Sequence, residues 1–173
     1  KQLISQQGTA IDMPAGPSEV MIIADENADP AFIAADLLSQ AEHGSDSQVM
    51  LITRSESLIN AVQREIGKQL VTLPRKDVTS QSLDHSRAIL FSSDDELMNF
   101  ANEYAPEHLI INTVNCEQLA DKVINAGSVF LGSYTPESAG DYASGTNHTL
   151  PTNGFAKAYS GVSLESFCKF VTF

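Results

Sequence analysis

A repeated change of hydrophobic period constrains this chain more than any other feature. Glu19–Ala24 (EVMIIA) is a continuous β-favouring run, as a strand buried on both faces requires, and it ends at Asp25-Glu26-Asn27. From Asp29-Pro30, a helix-start signal with proline in the first turn, the apolar residues Phe32, Ile33, Ala35, Leu37 and Leu38 predict a helix reaching about His43 and stopped by Gly44. Residues 48–53 (QVMLIT) read as a second buried strand, and Ser55-Glu56-Ser57 opens a helix through Leu58, Ile59, Val62, Ile66 and Leu70. A short, more polar segment over 73–86 leads to a third strand at 87–91. Ser93-Asp94-Asp95-Glu96 caps a helix carrying Leu97, Met98, Phe100 and Ala101. A fourth strand at 109–112, a helix at 116–126 ended by Gly127, and a fifth strand at 128–131 complete the series.

Strand and helix therefore alternate, which predicts an α/β fold: a three-layer αβα arrangement around a mainly parallel, Rossmann-like sheet. Residues 1–131 form the α/β core domain on this reading. Residues 132–161 hold five of the ten glycines, with many Ser, Thr and Asn and no sustained period. They predict a long Gly-rich functional loop or a disordered tail, so 132–173 reads as loop and C-terminal extension of the same domain.

At 173 residues the chain suits one domain, which buries about 70% of the surface its unfolded form exposes. Ten Lys+Arg against 22 Asp+Glu give a formal charge of −12, which repels phosphate backbones and anionic membranes, so neither nucleic acid nor membrane is an expected partner. No apolar run approaches the roughly 20 residues that span a bilayer. Cys116 and Cys168 lack C-x-x-C spacing, which points away from a thiolate metal cage or disulfide framework and towards a reducing cytoplasm. The chain starts without methionine and ends on the apolar SFCKFVTF, so the expectation is a stretch of something longer.

Parallel α/β sheets place ligands beyond the carboxyl ends of their strands, so loops after strands are the expected home of chemistry. His43 ends the first long helix, His108 begins the fourth strand, and His148 sits in the glycine-rich stretch, whereas His85 reads as solvated surface. Gln40 and His43 are three residues apart and share a helix face, the spacing of a ligand pair. The plainer alternative is the polar end of an amphipathic helix, and glutamine is an unusual zinc ligand. Pro106 biases Ala105 away from helix and leaves Glu107 and His108 at a strand mouth, where an imidazole can act as general base and a carboxylate can orient a water. A polar helix-terminating turn would look the same. Asp141 and His148 could both reach a metal or substrate from a stretch rich in small residues. G-x-G-x-x-G, a P-loop and H-E-x-x-H are absent, so no nucleotide-cradling motif is visible.

Taken together, IDMPAGPSEVMIIADENADPAFIAADLLSQAEHGSDSQ, EYAPEHL, AGSVFLGSYTPESAGDYASGTNHTLPT and GVSLESFCK closely resemble the histidinol dehydrogenase family, over nearly the whole chain. The resemblance implies oxidation of L-histidinol to L-histidine through an aldehyde, the last step of histidine biosynthesis, in two NAD-dependent steps with one zinc ion per site. It implies Gln40, His43 and Asp141 as zinc ligands, His108 as general base, Glu107 as activator of the attacking water, and Ser18 and His148 as substrate contacts beside them. It further implies nucleotide contacts before Lys1, with a zinc-ligand histidine and a substrate-contacting glutamate beyond Phe173. The resemblance implies that those downstream pieces come from the partner subunit of a homodimer. Without its flanks the chain is expected to bind zinc weakly and not to turn over. A zinc-dependent hydrolase and a non-catalytic metal- or imidazole-binding module remain the alternatives.

Overall fold

In a computed structural model, described for residues 1–14 and 16–173 with the side chain of Gln2 set aside, strands and helices follow the alternation. After a four-residue helix, α1 (Gln2–Ser5), come β1 (Glu19–Ala24), α2 (Pro30–Ala41), β2 (Gln48–Thr53), α3 (Glu56–Leu70), α4 (Lys76–His85) and β3 (Arg87–Leu90). Then follow α5 (Asp94–Tyr104), β4 (His108–Asn112), α6 (Cys116–Ala120), β5 (Ser128–Leu131) and α7 (Glu137–Tyr142), with 3-10 turns at Phe155–Lys157 and Leu164–Phe167. All four strand pairings are parallel, in the order β3-β2-β1-β4-β5.

Local chemistry sets the boundaries. The Asp29 carboxylate accepts from Ala31 N at 2.8 Å and Pro30 occupies the first turn, so α2 begins where its orphan N–H groups are satisfied. Ser55 and Ser93 cap α3 and α5 in the same way. Alternate residues of the central strands feed two cores. Val20, Ile22, Val49, Leu51 and Ile110 pack under α2 and α3, whereas Met21, Ile23, Ile52, Leu109 and Ile111 pack under α5 and α6. Three layers result. Among the described residues no helix is long and apolar enough to cross a membrane.

Four expectations need correction. The polar segment over 73–86 contains α4, whose few apolar positions hid its period; Thr79 and Ser82 are its buried contacts. His85, read as solvated surface, is half-buried: its Nε2 meets Ser47 O at 2.9 Å and its carbonyl accepts from Gln48 Nε2 at 3.2 Å, a structural role. The 132–161 stretch is not loop throughout, because α7 forms inside it and packs against α2. The helix at 116–126 is shorter than its pattern, ending at Ala120.

Candidate active site and metal centre

The site residues gather at the amino rim of the sheet, not the carboxyl rim where ligands of such sheets usually lie. Topology explains it. β1 begins at Glu19 and β4 at His108, with Val20 opposite His108 in the parallel register, and β5 places Ser128 opposite His108 on the other side. α2 crosses from the end of β1 back to the start of β2, so its last turn, with Gln40, and the following His43 arrive at the same rim.

The turn into β4 is tightly built. α5 ends on Ala105 in the left-handed region (φ 59°), a conformation that strains any residue with a Cβ, and Pro106 follows it. Gly127 N donates to Pro106 O and Ser128 N to Glu107 O, both at 2.9 Å. A Cβ on Gly127 would fall on the Glu107 carbonyl oxygen, so only glycine lets β5 approach this closely.

One residue across the sheet then fixes both side chains. Glu19 N donates to Glu107 Oε2 at 2.8 Å, and the Glu19 carbonyl lies 3.0 Å from His108 Nδ1. A carbonyl only accepts, so Nδ1 carries the proton, and in the neutral ring Nε2 keeps its lone pair. Nε2 faces Glu137 Oε1 at 3.8 Å, and Glu107 Oε2 lies 3.5 Å from Nδ1. Burial alone would lower the His108 pKa; the Glu107 carboxylate, the Glu19 carbonyl and Glu137 outweigh it and hold the pKa above its ordinary value. The ring lies against Phe130, 6.1 Å between centroids.

Glu137, on the first turn of α7, is 2% exposed, and burial raises its pKa while His108 opposes the shift. Ligand atoms of His108, Glu137 and Asp141 all lie within 4.8 Å of one another, close enough to share one metal ion. Glu137 also feels the charge of His43, and Ser39 Oγ on α2 donates to its Oε2 at 3.4 Å. Two further metal-capable groups stand at the end of α2. Gln40 is 1% exposed and its Oε1 has no hydrogen-bond partner, an acceptor awaiting a donor or an ion. His43 spends Nδ1 on Ser39 O at 3.2 Å, leaving Nε2 free on the exposed side.

Ser18, Glu107 and His148 line one cavity of about 230 Å³, together with Thr149 and Thr152. The structure thus draws Glu107 and His108 between two groups: Ser18 and His148 on one side, Asp141 with the end of α2 on the other. Sequence reasoning passed over Glu137 and Glu19. Glu137 and Asp141 are four apart and share a face of α7, a signal available only once that helix is recognised. Glu19 is a carboxylate at the head of an otherwise apolar buried strand, itself 4% exposed.

The carboxyl rim carries a larger cavity of about 530 Å³, lined by Asp25, Glu26, Asn27, Asp94 and Asn115. Its arginine, Arg54, is paired with Asp94 at 3.2 Å. That acidic crevice does not fit a dinucleotide pyrophosphate.

The class defined is a parallel αβα domain with a buried histidine–carboxylate pair beside side chains that could hold a metal ion. The histidinol dehydrogenase family model matches residues 1–173, and the chain belongs to that family. It is 64% identical over 173 residues to histidinol dehydrogenase of Bacteroides thetaiotaomicron, covering 100% of this chain and 40% of that protein. It is 57% identical over 169 residues to the chloroplastic histidinol dehydrogenase of Arabidopsis thaliana, covering 97% of this chain and 36% of that protein. The crystal structure of histidinol dehydrogenase from Elizabethkingia anophelis superposes with a TM-score of 0.97 at 58% identity, covering 100% of this chain and 40% of that one. The chain therefore spans about 40% of the length of these two bacterial relatives.

Proposed function

We propose that this chain forms the proton-transfer and metal-holding part of an enzyme that oxidises L-histidinol to L-histidine by way of L-histidinal, with NAD as oxidant and zinc as metal. The observation that carries the reading is the clamp from Glu19, which commits His108 Nδ1 to a carbonyl and leaves Nε2 free beside Glu137. Each oxidation requires a proton to leave oxygen, and His108 Nε2 is the base that takes it. Between the oxidations a water must add to the aldehyde. Glu107, with Oε2 fixed by Glu19 N and its carboxylate bordering the cavity, takes the proton from that water.

Gln40, His43 and Asp141 would hold the zinc, whose Lewis acidity orients and polarises the group bound to it. Glu137 stands within reach of Asp141 and faces His108 Nε2 at 3.8 Å. Ser18 and His148 contact the substrate from the cavity side. A homodimer completing each site across its interface, and a cytoplasmic location, complete the proposal, with support from family membership alone.

The test is NADH formation from histidinol by the full-length protein, with and without chelator. Turnover of histidinol that requires both nicotinamide and metal supports the reading. Hydrolytic activity indifferent to nicotinamide would replace it with the hydrolase alternative, and ligand binding that survives loss of His108 without any turnover would replace it with a binding module.

A further inference from the structure

Glu19 lies at the centre of the site, yet none of the steps above uses its side chain. Its peptide group holds Glu107 and His108, and any residue at this position would supply that peptide. The carboxylate does something else. Oε1 accepts from Asn153 N at 2.9 Å and Oε2 is buried without a donor at hydrogen-bond geometry; burial and the Glu107 charge raise the pKa to about 7 against the Asn153 and Glu107 backbone N–H groups. A carboxylate desolvated to this degree is costly to keep, and a neutral side chain of the same shape would avoid the cost.

Asn153 belongs to a strap, residues 149–153, that lines the same cavity as Glu107 through Thr149, Leu150 and Thr152. The strap is seated closely. Asn153 adopts φ 56°, sparsely populated outside glycine, and Gly154 continues at φ 75°. A Cβ on Gly16 would overlap Thr152 Oγ1, and Leu150 packs where a Cβ on Gly127 would project. The hydrogen bond from Asn153 N to Glu19 is the polar tie that holds this left-handed corner to the sheet.

From this geometry we infer that Glu19 is a positioning residue: its carboxyl pins the 149–153 strap over Glu107, so that the cavity wall holds the water which Glu107 deprotonates. The inference rests on the function proposed above. It separates two half-reactions. Alcohol oxidation depends on His108, which the Glu19 peptide holds in any variant; aldehyde oxidation also needs the positioned water.

The experiment measures histidinol and histidinal oxidation separately in the full-length, zinc-loaded protein. Glu19→Ala should slow histidinal oxidation roughly 10- to 100-fold through kcat, the scale of a misplacement near 1 Å, while the histidinol half-reaction and KM change little. Glu19→Gln, which keeps an acceptor for Asn153 N, should recover most of the lost rate. Should the alanine variant not fold, Glu19→Asp, with its reach shortened by one methylene, carries the same comparison. An equal loss in both half-reactions, or no loss in either, overturns the inference. A wild-type protein that oxidises neither compound overturns instead the function on which it rests.

Discussion

His108 and Glu19 stand on neighbouring parallel strands with Nδ1 and the carbonyl oxygen 3.0 Å apart, so a backbone acceptor, with the Glu107 carboxylate 3.5 Å away, sets the tautomer of the His108 imidazole. A backbone carbonyl does not titrate, so this acceptor faces Nδ1 whether the ring is neutral or protonated. His108→Asn keeps a donor for that carbonyl and removes the base. We expect kcat to fall about 10²- to 10⁴-fold with the fold retained, measured by steady-state rates alongside circular dichroism. A variant within a few-fold of wild type would remove His108 from the proton path.

Glu137 raises the affinity of His108 for a proton. Because the folded pKa lies above the ordinary 6.5, the stability this group contributes is fully present below about 6.5 and is lost as pH rises through the raised value. Glu137→Gln should lower the His108 pKa in metal-free protein, followed by NMR titration of the ring, and should shift the end of that stability window to lower pH. An unchanged titration would mean that Glu107 and the Glu19 carbonyl suffice.

Gln40 carries a buried acceptor with no partner, which penalises the metal-free fold. Gln40→Met fills similar volume without that atom. The metal-free variant should be as stable as wild type or more so, by up to about 1–2 kcal/mol in urea unfolding. Its zinc affinity should drop, roughly 10- to 100-fold by calorimetry. Loss of stability with unaltered zinc binding would make Gln40 a packing residue.

Gly127→Ala places a methyl against the Glu107 carbonyl, where backbone has little room to yield. We expect a destabilisation of about 1–3 kcal/mol, and a loss of activity larger than that of a comparable substitution elsewhere in the sheet. Activity at the wild-type level would show that β5 can step back without disturbing the strand mouth.

The sheet was readable because its strands are short, continuous apolar runs and its helices carry caps: β1, β2 and β5 fall on their predicted residues, and Asp29, Ser55 and Ser93 open helices as their side chains suggest. α4 and α7 were not readable for a physical reason. α4 buries Thr79 and Ser82 in place of an apolar stripe, and α7 is a six-residue helix with a buried glutamate and glycine. The site also lies at the opposite rim of the sheet from the one its fold class suggests. The carboxyl-rim rule describes sites built from loops after strands, whereas here Glu107 and His108 stand at the start of a strand and Gln40 and His43 at and just past the end of a helix. Glu19 and Glu137 went unnoticed because their significance lies in contacts 88 residues away, from Glu19 N to Glu107, and 98 away, from Ser39 to Glu137.

Placement at the amino rim also sets the sign of the local field. Helices that return between parallel strands turn their carbonyl ends towards this rim, and α2 delivers its last turn beside Gln40 and His43. The aligned peptide dipoles of α2 present roughly half a negative charge there. Such a pole attracts cations and disfavours phosphates, so the same architecture that in other α/β proteins grips nucleotides at one edge offers a metal ion a ready berth at the other.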